Sequence, residues 1–208
     1  MVLSTKEKIL RDLRISESDV DRIEQAEDAL KAASDWIEKY LDRQLPYDPE
    51  FKQVLEGHGF PELILSRYPI SEIHSIEVDG ESVDPDEYIV RPEKGMVYRR
   101  RGWPPSMQYD RRDYIRTGRG GTEAPLIEVV YSGGYVTPQQ AIDDQTLERS
   151  LPSDIEKAAL FVASTMFRSM GDDMRVRRAH NLRTGTWYSD EEFKATVDSW
   201  IGHHRSLA

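Results

Sequence analysis

The sequence predicts an α+β protein in which helices from both ends of the chain form a bundle and a small antiparallel β region is inserted between them. Apolar residues recur at helical spacings near both ends of the 208-residue chain, whereas the middle shifts toward the two-residue period of strands. We therefore assign residues 1–60 to N-terminal helices, 61–136 to a β insertion with a long arginine-rich loop, and 137–208 to C-terminal helices and a tail that complete the bundle.

Two helices are predicted in the N-terminal segment. Ser4 and Glu7, at the start of the first, have the spacing of a capping box, in which each side chain bonds the other residue's backbone N–H. The second helix should end before Pro46, because proline disfavours helical geometry at the preceding residue. Its apolar face, at spacings of three and four, comprises Val20, Ile23, Ala26, Leu30, Ala33, Ile37, Tyr40 and Leu41.

The middle of the chain is rich in β-branched and aromatic residues bracketed by turn residues. Asp79-Gly80 predicts a two-residue hairpin turn, because both positions tolerate a positive φ. The glycine- and arginine-rich stretch 102–124 predicts a long loop. Short strands are predicted at Leu63–Leu65, His74–Val78, Tyr88–Val90, Met96–Tyr98 and Ile127–Tyr131.

Helical spacing returns after Pro152, where Ser153 and Glu156 predict a second capping box. Small residues in this helix should let a partner helix approach closely. Ser189 and Glu192 predict the start of a last helix. The predicted buried positions of the two helices are Ile155, Ala159, Val162 and Met166, then Phe193, Val197, Trp200 and Ile201, and the small residues are Ala158, Ala159 and Ala163.

Charge is distributed unevenly along the chain. The formal net charge of −10 argues against a general nucleic-acid coat, which normally carries a basic surface. Residues 15–50 nevertheless have a net charge of −7 and residues 91–119 a net charge of +6. The acidic and the basic segment could form separate solvated faces. Alternatively, the acidic segment of one copy could contact the basic segment of a neighbouring copy in a ring.

No constellation of catalytic or cofactor-binding residues emerges from the sequence. With no cysteine, disulfides and thiolate metal sites are excluded, and a reducing compartment is expected. The apolar runs are far shorter than a membrane span, and the N-terminus turns polar too early for a signal peptide. The five histidines, His58, His74, His180, His203 and His204, lack zinc-site spacing. For His203 and His204 the sequence favours a frayed terminus over a weak metal site, so we predict neither enzyme activity nor a metal or cofactor.

The order of several segments resembles the head-tail connector (adaptor) family of tailed bacteriophages, in the form with a β insertion in its helical bundle. The resemblance covers roughly residues 17–170 and depends on the order and spacing of the segments. They are Tyr40–Leu45, Leu63–Ile70, Ile73–Gly80, Tyr88–Val90, Gly95–Tyr98, Gly102-Trp103, Ile127–Tyr135 and Leu151–Ala158.

This resemblance implies a virion protein of the phage neck, made in the bacterial cytoplasm and assembled as a ring, usually of twelve copies, under the portal. The ring would extend the DNA channel without sequence-specific binding and provide the docking platform for the next neck or tail protein. A neck stopper, a tail-completion protein and a DNA-binding packaging accessory are the alternatives.

Three sets of residues are candidates for these roles, although each set could equally be solvated surface, linker or core. An acidic channel lining would use Asp28, Asp35, Glu38 and Asp42. Contacts between subunits would use Arg99, Arg100, Arg101, Trp103, Arg111 and Arg112, a composition that also suits nucleic acid. Docking to the portal or tail would use Arg175, Arg177, Arg178, Arg183, Trp187 and Tyr188.

Overall fold

The structure, a computed structural model, describes residues 2–104, 126–170 and 190–205. The chain divides into two compact units: a helical unit of Met1–Pro46 with Tyr135–Ala208, and a β unit of Tyr47–Gly134. The predicted α+β class is confirmed, because helices from both ends of the chain share one unit and antiparallel strands form the other. Within the described ranges, every helix is too short or too polar to cross a membrane.

The described part of the helical unit contains five α-helices. They are α1 (Lys6–Leu13), α2 (Val20–Leu41), α3 (Pro138–Asp143), α4 (Ser153–Met170) and α5 (Asp190–Ile201), followed by a 3₁₀ turn at Gly202–His204. Helix α2 ends four residues earlier than Pro46 requires, because Asp42 adopts a left-handed conformation (φ 53°) and its N–H bonds Glu38 O. The short helix α3 was not predicted, although Thr137 and Gln140 form a complete capping box at its start.

Helices α2 and α4 form the centre of the helical unit's core. The contact faces carry fully buried alanines, which allow two helices to approach closely. These are Ala26, Ala29 and Ala33 in α2 and Ala158, Ala159 and Ala163 in α4. The close approach expected from the small residues of α4 is therefore observed, and α2 is the partner helix.

Two predicted capping boxes are wrong, because their polar side chains make tertiary contacts instead. The cap of α1 is Thr5, whose hydroxyl accepts the N–H of Lys8 at 3.4 Å. Ser4 is fully buried and donates to Glu156 Oε1 at 2.9 Å. Glu156 consequently does not reach back to Ser153 as a capping residue.

Glu156 is a buried polar anchor that links three segments of the helical unit. Its side chain is 7% exposed and accepts from Ser4 and Lys8 near the N-terminus and from Arg149 before α4; both ion-pair distances are 2.6 Å. Burial opposes ionisation, but the bonds from Lys8 and Ser4 and the charge of Arg149 lower the pKa of the Glu156 carboxyl below its ordinary value. The carboxylate is therefore held ionised in the fold.

Seven strands form two antiparallel sheets in the described part of the β unit. They are β1 (Asp48–Glu56), β2 (Glu62–Ile64), β3 (Ile70–Val78), β4 (Glu81–Ser82), β5 (Tyr88–Arg91), β6 (Met96–Arg99) and β7 (Leu126–Gly133). One sheet has the order β1-β7-β3-β4 and the other β2-β6-β5. All five predicted strands are present to within a few residues at their ends, and the predicted turn is confirmed, with φ of 53° at Asp79 and 84° at Gly80.

Strand β1 corrects the predicted N-terminal boundary of the β region. It lies within residues 1–60, which were assigned to helices, yet it pairs with β7 along its length. Its exposed positions alternate with partly buried ones, as in a strand with one solvated face. The two prolines at 46 and 49 and the charged residues of this stretch hide that alternation in the sequence, so the β unit begins at Tyr47, ahead of residue 61.

Candidate assembly surfaces

Three of the four predicted channel-lining carboxylates lie on one exposed stripe of the helical unit. Asp28, Asp35 and Asp42 are seven residues apart along α2 and its C-terminal cap, and all three are exposed. Seven residues are nearly two helical turns, so each step of seven rotates the side-chain position by only about 20° around the helix. Asp21 extends the same series toward the N-terminus. We call these four residues the acidic stripe.

Glu38, the fourth predicted lining residue, has a structural contact instead. It is half-buried, and its Oε1 accepts the backbone N–H of Leu45 at 2.9 Å. Leu45 is fully buried and lies where the chain leaves α2. Glu38 therefore supports the end of the helix, and the acidic stripe does not depend on it.

The predicted inter-subunit residues separate into buried and exposed ones within the β unit. Trp103 is 1% exposed, with its backbone N–H bonded to Phe60 O at 2.9 Å and its indole N–H to Val97 O at 3.3 Å. Its assignment to a subunit contact is corrected: it is a core residue. Arg99 covers it, with the guanidinium 5.5 Å from the ring and an ion pair to Glu87.

Arg100 and Arg101 remain exposed at the surface of the β unit. The Arg101 side chain is 82% exposed and lies 3.8 Å from Glu87, too loose a pair to immobilise it. Arg111 and Arg112 lie outside the described residues, as do all six predicted docking residues between 175 and 188.

Trp200 corrects a further expectation. The sequence placed it in the core, but it is 38% exposed and contacts Phe161 edge to face at 5.3 Å between ring centroids. The buried positions of α5 are Val197 and Ile201. The indole therefore lies at the rim of the core.

The C-terminal turn is ordered in the described structure, and this overturns the frayed terminus expected from the sequence. His204 has a side chain only 17% exposed, and its Nε2 lies 2.9 Å from Asp154 Oδ2. His203 Nε2 lies 3.3 Å from the same oxygen. The guanidinium of Arg205 lies 4.9 Å from the ring of Tyr40. About fifty residues separate Asp154 from the histidines, so no local spacing could have revealed this cluster.

The environment of Asp154 favours its ionised form. Burial opposes ionisation, but hydrogen bonds from His204 and from the backbone N–H of Ile155 together lower the pKa of this carboxyl. Asp154 thus presents a negative charge to both imidazoles.

Comparison with known proteins shows a likeness in structure. No protein-family model matches the sequence, and no curated protein sequence matches it significantly. A solved chain described as "Neck of empty GTA particle computed with C6 symmetry" is similar in structure, with a TM-score of 0.53 and 13% sequence identity. The likeness covers 99% of this chain and 91% of the other. At this identity it shows that the two chains share a fold.

Proposed function

We propose that this chain is a structural, non-enzymatic head-tail connector (adaptor) of a tailed phage or phage-like particle. In this role it forms a ring under the portal, extends the DNA channel and provides the docking platform for the next neck or tail protein. The observation that supports this most strongly is the fold shared, over nearly the whole chain, with a chain from the neck of a gene transfer agent particle. The six-fold symmetry described for that neck is compatible with rings of six or twelve copies.

Charge favours a head-to-tail contact between neighbouring copies. The exposed carboxylates Glu17 and Glu24 lie outside the acidic stripe and belong to the helical unit, whereas exposed Arg100 and Arg101 belong to the β unit. A heterologous interface joins two different surfaces of identical subunits, and it closes into a ring when the rotation between copies permits. A stable contact of this kind needs on the order of 800 Å² per partner. Arg100 and Arg101 are proposed to contribute its positive side.

Mass measurement with and without the portal tests the proposed role. An adaptor should bind the portal ring and add the mass of one closed ring of copies, even if the free protein is a monomer. A stopper or tail-completion protein should leave the portal mass unchanged and bind only after an adaptor is present. A packaging accessory should instead retard DNA without portal. Either of the last two results would contradict the adaptor role.

Reversing the charge of the acidic stripe should make the ring adhere to DNA. With the unaltered protein, we expect that the portal-bound ring does not retard duplex DNA in a gel, because a negative lining repels phosphate. The triple variant Asp28→Lys, Asp35→Lys, Asp42→Lys should retard DNA, and added salt should abolish the effect, since phosphate contacts release counterions.

The control variant carries the same change of charge elsewhere. Glu62, Glu72 and Glu93 are exposed in the β unit, so Glu62→Lys, Glu72→Lys, Glu93→Lys alters net charge equally. If the stripe lines the channel, the control should retard DNA much less than the stripe variant. Equal retardation by both would assign the effect to overall charge and remove the stripe from the lining.

A further inference from the structure

The cluster at the C-terminal turn brings together three side chains of types that commonly bind metals. Asp154 is distant in sequence from the two adjacent histidines. Asp154 is the second residue of α4, whereas His203 and His204 lie in the 3₁₀ turn after α5. One ligand atom from each side chain lies within 4.8 Å of the other two. The two imidazole rings are 4.0 Å apart between centroids.

We propose that Asp154, His203 and His204 form a binding site for a divalent transition metal of the Zn²⁺ class. Nitrogen and oxygen ligands hold Zn²⁺ at about 2.0–2.2 Å, so neighbouring ligand atoms of a tetrahedral site are about 3.3–3.6 Å apart. The observed separations from Asp154 Oδ2 are 3.3 Å to His203 and 2.9 Å to His204. Small side-chain adjustments therefore bring these atoms to coordination distance. A water molecule would take the fourth position.

The orientation of the carboxylate supports this assignment. Asp154 Oδ1 accepts the backbone N–H of Ile155 at 2.9 Å, which leaves Oδ2 directed at the imidazoles. Hydrogen bonds of this outer kind hold the ligands of metal sites in place. Both histidines direct Nε2 at one oxygen. One divalent ion would coordinate both nitrogens and the carboxylate together.

A bound ion would fasten the end of the chain to the start of α4. Since the ion binds the folded arrangement, its binding should also stabilise the helical unit. This inference does not depend on the adaptor role, because it concerns one subunit alone.

The test is titration of the purified chain with Zn²⁺ in competition with a chromophoric chelator, together with Co²⁺ absorption spectra. We expect one site per chain and a Co²⁺ spectrum typical of tetrahedral nitrogen and oxygen ligands. Each of His203→Ala, His204→Ala and Asp154→Asn should weaken binding at least about tenfold, since even changes outside the ligand set cost 10- to 100-fold.

The matched control leaves the proposed pair as the only histidines of the chain. His58→Ala, His74→Ala, His180→Ala should bind Zn²⁺ as the unaltered protein does. Binding that is lost in this control, that persists in the three site variants, or that is absent from the unaltered protein would overturn the proposal. Circular dichroism of each variant without metal checks that the helices are retained.

Discussion

Replacing Trp103 with alanine should lower the free energy of unfolding of the β unit by about 3–5 kcal/mol. Trp103 is 1% exposed and its indole N–H donates to Val97 O, so truncation leaves a cavity among core side chains and removes this hydrogen bond. Hydrogen exchange in increasing urea, followed on peptides that cover β6, measures this loss for the β unit separately. The measurement uses the free subunit.

Arg101→Ala provides the control for a surface role. With a side chain 82% exposed, its replacement should change unfolding by no more than about 0.5 kcal/mol. If Arg101 contributes to a subunit contact, the same variant should weaken ring formation on the portal. A Trp103→Ala variant that unfolds like the unaltered protein but fails to form rings would restore the interface role that its burial argues against.

Replacing Glu156 with alanine should destabilise the helical unit by about 2–3 kcal/mol. The change removes the partner of fully buried Ser4 and the counter-ion of Lys8 and Arg149. The side chains of these two cations are more than a third exposed and can turn to water, which keeps the cost below that of breaking a fully buried pair. Urea-dependent exchange in peptides from α1 and α4 measures the effect.

Lys6→Ala, in α1, is the control for loss of an exposed ion pair in the same helical unit. Lys6 pairs with Glu27 at the surface, where both side chains are nearly half exposed, so its loss should cost less than about 1 kcal/mol. Equal losses in Lys6→Ala and Glu156→Ala would contradict the anchoring role of Glu156.

Acid should weaken the same anchor. Because the pKa of Glu156 is lowered in the fold, its contribution is complete above the pKa of an unfolded glutamate and is lost as pH falls through the lowered native pKa. The stability difference between the unaltered protein and Glu156→Ala should therefore shrink on acidification. A difference that stays constant down to the acid transition would contradict this linkage.

The sequence by itself determined the α+β class and most elements of the fold. The apolar spacing of α2, the small residues of α4 and the Asp79-Gly80 turn are local patterns, and each specifies its structure through nearby residues. Asp28 and Asp35 lie on the solvated face of α2, opposite the apolar face that the same helical period predicts. Strand β1 was not predicted from the sequence, because two prolines and several charged residues obscure its alternation. Its pairing partner β7 is also about eighty residues away in the chain.

The tertiary structure alone decided how several polar and aromatic side chains are used. Ser4 and Glu156 each have the local spacing of a helix cap, yet the fold brings them together as a buried pair. Trp103 is of a residue type that often anchors protein interfaces, yet it lies in the core of the β unit. The meeting of Asp154 with His203 and His204 likewise has no local signal. Contacts between distant residues depend on how whole elements pack, and periodicity reports only which face of an element is buried.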